Sequence, residues 1–130
     1  MGKCIAQSKA EVLKCAAHCK YYEENTERIL KTKHIETATT NSYVLYQPTG
    51  PILLIEPWNF PFWMPFRTAI PQLALGNTVL YKPAPNISMS ADLLENAMVD
   101  SGLENIFKNV YFEPENTEFI LSNHKVQGAV

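Results

Sequence analysis

Several features that mark common classes of protein are missing from this sequence. Its 130 residues contain no apolar run that approaches the roughly 20 residues needed to cross a bilayer. The first residues, MGKCIAQSKAEV, lack the apolar core of a signal peptide. The net charge of −2 and the lack of a basic cluster argue against nucleic acid as a partner. We therefore predict a cytoplasmic protein that binds neither membranes nor nucleic acid.

Cysteine is scarce as well. Only Cys4, Cys15 and Cys19 occur, and an odd number in a chain without a secretion signal favours free thiols. Cys15, His18 and Cys19 fall on one side of a predicted helix, so a metal site is one alternative. Zinc prefers four ligands, however, and a fourth is not evident. We predict no metal and interpret the two helical cysteines as small residues on a packed apolar face.

The residues that are present describe a globular domain. The composition is 46% hydrophobic and 18% charged, which is typical of a folded chain rather than a disordered one. Residues 6–30 predict one long helix because apolar residues recur there at helical spacing. Thr, Tyr and Val prevail over residues 35–47, which predicts one or two strands. The turn PTGP follows, at residues 48–51.

From Ile52 onward the predicted elements alternate between strand and helix. The strands are predicted at 52–55, 78–82, 106–112 and from 126, and the helices at 61–75, 88–100 (capped by Ser88 or Ser90) and 115–123. Such alternation predicts an α/β fold, here a partial doubly wound parallel sheet behind a leading helix and strand segment. Ligands bind such sheets beyond the carboxyl ends of the strands, which are followed here by loops 56–59, 83–86 and 113–114. The usual dinucleotide fingerprint, GxGxxG, is absent.

Two stretches at those strand ends resemble a known family. PWNFPFW, at residues 57–63, and ALGNTVLYKPAPN, at residues 74–86, are similar to the cofactor-binding region of the aldehyde dehydrogenases. The flanking segments MGKCIAQSKAEVLKCAAHCKYY and HKVQGAV are also similar to that family, so the resemblance runs along the whole chain. The branch that it resembles most is that of the succinate-semialdehyde dehydrogenases.

The resemblance implies an organisation and an activity. Residues 1–34 correspond to a leading helix, residues 35–50 to strands that link to the oligomerisation region, and residues 51–130 to part of the NAD(P)-binding domain. Members of the family are several times longer, and we expect their nucleophilic cysteine and glutamate base to lie outside these residues. Whether this chain is itself an enzyme therefore stays open. The expected function is that of a fragment of an aldehyde-oxidising oxidoreductase that forms homo-oligomers. The alternative is a non-catalytic module for nucleotide binding or subunit assembly.

The resemblance assigns a catalytic role, that of hydrogen-bond donor to the oxyanion, to Asn59. Aldehyde oxidation passes through an oxyanion that needs fixed hydrogen-bond donors, and a side-chain amide donates without titrating. The rigid neighbours Pro57, Pro61 and the two tryptophans are expected to hold that amide still. The alternative is that Asn59 caps the helix that follows, which asparagine does well.

Other residues are assigned to NAD or NADP by the same resemblance. Lys82 is expected to hydrogen-bond the adenosine ribose, although a solvated lysine at a strand end is the alternative. The further candidates for the cofactor groove are Ile55, Glu56, Pro57, Trp58, Ala84 and Pro85. The alternative for Trp58 is that it is an ordinary residue of the hydrophobic core. Glu56 departs from the family, which more often has a neutral residue at this position. Pro85 stands where many NAD-preferring members have glutamate, which favours tolerance of NADP.

Arg67 is the candidate anchor for a substrate carboxylate. It lies eight residues after Asn59, about 12 Å along a helix and on nearly the same face. A guanidinium can bind a carboxylate through a bidentate pair of hydrogen bonds, which suits a small semialdehyde with an acid at its far end. Phe60, Trp63 and Met64 lie on or beside this face and complete the predicted substrate site. A surface salt bridge is the alternative role for Arg67.

Overall fold

The computed structural model describes all 130 residues, beginning with one long helix. Helix α1 spans Ile5–Leu30, as predicted, and is followed by a two-residue antiparallel pair, β1 (Lys33–His34) and β2 (Tyr43–Val44). The predicted strand region at 35–47 therefore contains only β2, and its partner lies just before it. The pair is short because most of the intervening residues form an exposed polar loop, in which Thr37, Thr39 and Ser42 hydrogen-bond to one another.

A four-stranded parallel sheet forms the centre of the chain. Its strands are β3 (Pro51–Ile55), β4 (Thr78–Lys82), β5 (Phe107–Asn109) and β6 (Gly128–Ala129), in the spatial order β5-β4-β3-β6. All three pairings are parallel. The prediction of an α/β fold with a partial parallel sheet is thus confirmed, although β5 ends three residues earlier than predicted.

Three helices connect these strands. They are α2 (Trp63–Leu75), α3 (Ser88–Asp100) and α4 (Thr117–Leu121), and short 3₁₀ turns at Pro85–Ile87 and Pro114–Asn116 lead into the last two. Gly76 ends α2 in the left-handed conformation, at φ 94°, as its position predicts. The prediction that Ser88 or Ser90 caps α3 is wrong. The preceding 3₁₀ turn continues directly into the helix, and no side chain caps its first residues.

The core lies between the sheet and two of the helices. Alternate strand residues point toward α2 and α3 and meet their apolar faces in one buried cluster: Ile52, Leu54, Ala69, Val79, Tyr81, Ala91, Leu94, Met98 and Phe107. Leu53 points the other way yet is also fully buried, which explains the continuous apolar run in β3. Helix α1 packs against α2. Although α1 has 26 residues, neither it nor any other helix combines the length and apolar character of a membrane span.

The strand order identifies where a ligand site is favoured. The chain moves outward from β3 to β4 and β5, and then returns to place β6 on the other side of β3. Such a reversal opens a crevice beyond the carboxyl ends of β3 and β6, the two neighbouring strands between which the order reverses. The loop that leaves β3, residues 56–62, lies at this crevice. It is the stretch that carries most of the predicted site residues.

Candidate functional site

Asn59 lies in the exposed loop between β3 and α2. The alternative role as a helix cap is not observed: α2 begins at Trp63, its N-cap is Phe62, and no side chain of the loop caps it. A carboxylate from another helix takes that role, because Glu11 of α1 accepts hydrogen bonds from the backbone N–H groups of Phe62 (2.8 Å) and Trp63 (2.9 Å). The side-chain amide of Asn59 is left without a protein partner.

Glu11 is itself paired. It is buried, and the Lys3 ammonium forms a salt bridge with it. Burial alone would raise the pKa of the Glu11 carboxyl, but the hydrogen bonds from Lys3, Trp63 and Phe62 outweigh burial and hold that pKa below its usual value. Lys3 also donates to the backbone carbonyl of Asn59 at 3.2 Å. Neither Lys3 nor Glu11 was predicted from the sequence.

Helix α1 and Lys3, just before it, also contact the aromatic residues of the loop. The Lys3 ammonium lies 4.0 Å from the ring centroid of Phe60, and the Lys14 ammonium lies 3.7 Å from that of Trp63. His18 meets the same Trp63 ring edge-on at 5.1 Å. Between the helix and the loop is a cavity of about 470 Å³, which we call the loop cavity; its lining includes Lys3, Glu11, Lys14, Trp58, Asn59, Phe60 and Trp63. The structure thus brings four predicted site residues together on one wall of this cavity. Trp58 is half exposed there and is not plain core.

A second cavity lies at the carboxyl ends of β4 and β5. This strand-end cavity has a volume of about 440 Å³, and its lining includes Lys82, Pro83, Pro85, Tyr111, Phe112 and Glu113. Lys82 is half-buried, and its ammonium lies 5.3 Å from the ring centroid of Phe112. Two of the predicted cofactor residues, Lys82 and Pro85, therefore share this cavity. Ala84 lies between them in sequence but does not line it.

The remaining candidates line neither cavity. Ile55 and Pro57 are exposed at the end of β3, next to Glu56. The Glu56 side chain is buried and accepts a hydrogen bond from Thr68 of α2 at 3.2 Å. Burial raises the pKa of the Glu56 carboxyl, and Thr68 and the nearby charge of Arg67 offset this only in part. Met64 is half-buried on the first turn of α2.

Arg67 is an exposed residue of α2 without an ion-pair partner. The three salt bridges of the chain join Lys3 to Glu11, Lys20 to Glu24 and Lys108 to Glu95. The alternative role of Arg67 in a surface salt bridge is therefore not observed. Its guanidinium is available to an anionic ligand.

None of the three cysteines lines the loop cavity or the strand-end cavity. Cys15 is buried and Cys4 exposed, and all three are free thiols, as predicted. Burial raises the pKa of Cys15 to about 11 and also raises that of Cys19, so neither is poised as a thiolate. No group of three or more His, Cys, Asp or Glu side chains is arranged to hold a metal ion.

Comparison with known proteins decides the family. The family model described as "Aldehyde dehydrogenase family" matches residues 1–129. This chain belongs to the aldehyde dehydrogenase family. Among its relatives is a probable succinate-semialdehyde dehydrogenase [NADP(+)] of Synechocystis, which is 36% identical over 128 residues. Succinate-semialdehyde dehydrogenase [NADP(+)] 1 of Mycobacterium tuberculosis is 38% identical over 133 aligned positions.

Solved structures agree with this assignment. The succinic semialdehyde dehydrogenase of Streptococcus pyogenes in complex with NADP+ superposes with a TM-score of 0.95 at 30% identity, over 99% of this chain and 29% of that one. The succinate-semialdehyde dehydrogenase of Burkholderia pseudomallei gives a TM-score of 0.88 at 28% identity, over 98% of this chain and 27% of that one. The two sequence alignments include 98–99% of this aldehyde dehydrogenase chain but only 28–29% of each relative. The chain therefore spans less than a third of the length of these relatives.

Proposed function

We propose that these residues form part of an NAD(P)-dependent aldehyde dehydrogenase that oxidises succinate semialdehyde to the acid. Residues 51–130 would supply part of its cofactor domain, residues 1–34 the leading helix, and residues 35–50 the link to the oligomerisation region. "Complete enzyme" below means a full-length aldehyde dehydrogenase that carries this segment. The observation that carries the proposal is Asn59: an exposed amide with no protein partner, on the wall of the loop cavity, in the loop that leaves β3 where the strand order reverses.

In this proposal the chain's own residues orient the substrate. The family reaction forms a bond between a cysteine thiolate and the aldehyde carbon, and the carbonyl oxygen becomes an oxyanion. The Asn59 amide donates to that oxyanion. Phe60 and Trp63 exclude water beside it, together with Met64. Arg67 binds the carboxylate at the other end of the substrate.

NADP or NAD is the proposed cofactor, and it supplies the hydride acceptor when bound. Lys82 would donate to the adenosine ribose from the wall of the strand-end cavity. Ile55, Glu56, Pro57 and Trp58 would form the groove along the end of β3, with Ala84 and Pro85 on the neighbouring strand end. Pro85 has no carboxylate to repel a 2′-phosphate, which is consistent with relatives named for NADP(+).

We further propose a cytoplasmic homo-oligomer. Four large side chains in and after β2 are at least 40% exposed: Tyr43, Val44, Leu45 and Tyr46. A contiguous apolar strip of this kind favours an interface with a second copy of the chain.

The test of the proposed function is Asn59→Ala in the complete enzyme. Loss of one oxyanion donor lowers kcat about 10²- to 10³-fold in other enzymes. We expect a loss of that size for succinate semialdehyde and for an uncharged aldehyde alike, since both form the same oxyanion. Asn105→Ala, in an exposed loop, is the control. An unchanged kcat in Asn59→Ala would refute the proposed role.

A further inference from the structure

The segment 59–63, which begins with Asn59, is held at one end by Lys3, just before α1, and at the other by Glu11 of α1. At the start, the Lys3 ammonium donates to the Asn59 carbonyl at 3.2 Å and lies over the Phe60 ring. At the end, the Glu11 carboxylate accepts from the N–H groups of Phe62 and Trp63. Lys3 and Glu11 are joined to each other by a salt bridge. The contacts at the two ends of the segment are therefore linked in one continuous series of charge-assisted contacts.

This arrangement follows the spacing of polar residues along α1 and the residues just before it. Those that face the loop recur every three or four positions, which places them on one side of a helix: Lys3, Gln7, Glu11, Lys14 and His18. The predicted apolar face of α1, which carries Cys15 and Cys19, adjoins this side. A purely structural cap for α2 would need only Glu11. The bond from Lys3 to the Asn59 backbone and the contacts of Lys14 and His18 with the Trp63 ring are additional.

We propose that Lys3 and Glu11 are positioning residues for the Asn59 amide, acting on it through the backbone of loop 59–63. The inference rests on the proposed function, because it gives the pair a role in catalysis only if Asn59 has one. The physical basis is preorganisation. A donor stabilises an oxyanion best when it is already fixed at the place where charge develops. The side chain of Asn59 has no bond of its own to fix it, so its position depends on the backbone that these two residues hold.

The experiment compares three variants in the complete enzyme. Lys3→Met removes the bond to the Asn59 carbonyl, Lys3→Arg retains a cation there, and Glu11→Gln removes the charge of the cap. Glu24→Gln is the matched control, because its pair with Lys20 is exposed on the same helix and does not touch the loop. We expect Lys3→Met and Glu11→Gln to lower kcat about ten- to a hundredfold, the scale of a displaced catalytic group. KM should change little, and Lys3→Arg should restore most of the rate.

A double-variant cycle with Asn59→Ala decides whether the effect passes through Asn59. If it does, Lys3→Met costs little further activity once the amide is gone. Full, additive losses in Lys3→Met/Asn59→Ala would overturn the inference, as would a rise in KM with kcat unchanged. If Asn59→Ala slows the enzyme and Lys3→Met does not, the inference fails while the proposed function stands. If Asn59→Ala has no effect, the proposed function fails and the inference fails with it. Cofactor affinity and thermal unfolding identify a variant that has misfolded. If Glu11→Gln misfolds, the comparison rests on Lys3→Met and its rescue by Lys3→Arg.

Discussion

At the scale of single residues, Arg67 separates the two parts of the proposed function. The chain has only two arginines, Arg28 and Arg67. Arg28 donates to Asn25 one turn earlier on its own helix at 2.8 Å, whereas Arg67 has no ion-pair partner. An exposed guanidinium without an ion-pair partner suits a substrate carboxylate in the proposed function. Asn59 instead suits any aldehyde, so the two residues predict different substrate dependence.

We predict that Arg67→Ala in the complete enzyme raises KM for succinate semialdehyde and barely affects an uncharged aldehyde of similar length. A charge-assisted contact contributes roughly 1.5–3 kcal/mol, which corresponds to about ten- to a hundredfold at ~1.4 kcal/mol per decade. Steady-state kinetics with both substrates make the measurement, with Arg28→Ala as the control. Equal losses on both substrates would mean that Arg67 is structural.

A second residue-scale prediction concerns cofactor choice. Pro85 lines the strand-end cavity, and its side chain offers neither a hydrogen-bond acceptor for the ribose hydroxyls nor a charge. Pro85→Glu should raise the ratio of kcat/KM for NAD to that for NADP by roughly tenfold, the equivalent of ~1.4 kcal/mol of repulsion against a 2′-phosphate. Asn86→Glu adds the same charge one residue away, outside this cavity, and should leave the ratio unchanged. No change in Pro85→Glu would remove the basis for assigning this position to cofactor choice.

At the scale of elements, two buried carboxyls have opposite effects on helix α2. Glu11 caps the start of α2 from α1, and its pKa lies below the usual value near 4.5. Glu56 lies beneath α2 against Thr68, and its pKa is raised because it is buried. The folded state therefore favours the ionised form of Glu11 and the protonated form of Glu56. The cap contributes to stability at neutral pH, whereas the buried carboxylate of Glu56 opposes it.

We predict that Glu11→Gln destabilises the protein at pH 7 by roughly 1–3 kcal/mol, the contribution of charged hydrogen bonds. Its difference from the unchanged protein should vanish as the pH falls through the folded-state pKa of Glu11, below about 4.5. Glu56→Gln should have the opposite effect: more stable at pH 7, with the gain lost as the pH falls through the raised pKa of Glu56 and below its unfolded value. Thermal unfolding across this pH range makes the comparison. The same pH trend for both variants would contradict it.

At the scale of the whole molecule, the most evident feature is how much apolar surface is uncovered. Large side chains on three different helices are more than half exposed, including Leu13 at 71%, Leu93 at 59% and Phe119 at 76%. The edges formed by β5 and β6 are also short and unpaired on their outer sides. Exposed apolar patches and free strand edges favour association between chains.

We predict that the 130 residues expressed alone self-associate or are poorly soluble. Sedimentation velocity over a range of concentrations makes the measurement. The double variant Leu13→Lys/Phe119→Lys should shift the distribution toward smaller species, because it breaks two of the exposed patches. A sharp, concentration-independent monomer for the unaltered chain would show that the uncovered surface does not drive association.

Much of this fold could be predicted from the sequence by itself, because its signals are local. The run Ile52–Ile55, the glycine at 76 and the strand at Thr78–Lys82 each follow from neighbouring residues, and alternation of strand and helix implies a parallel sheet. The motifs around Asn59 and Lys82 identified the family for the same reason. The roles of the individual site residues stay predictions.

Only the tertiary structure decided how the loop around Asn59 is held. Its cap, Glu11, lies 51 residues from Phe62 in the sequence, and no local pattern links the two. The sequence suggested that Asn59 could cap α2 because asparagine often does so, but a carboxylate brought by α1 occupies that role. Burial raises the pKa of Glu56 and that of Cys15 in the same way, since the cost of charging a group depends on what packs around it. Propensity and motif act through neighbours in the chain, whereas capping across helices and desolvation act through neighbours in space.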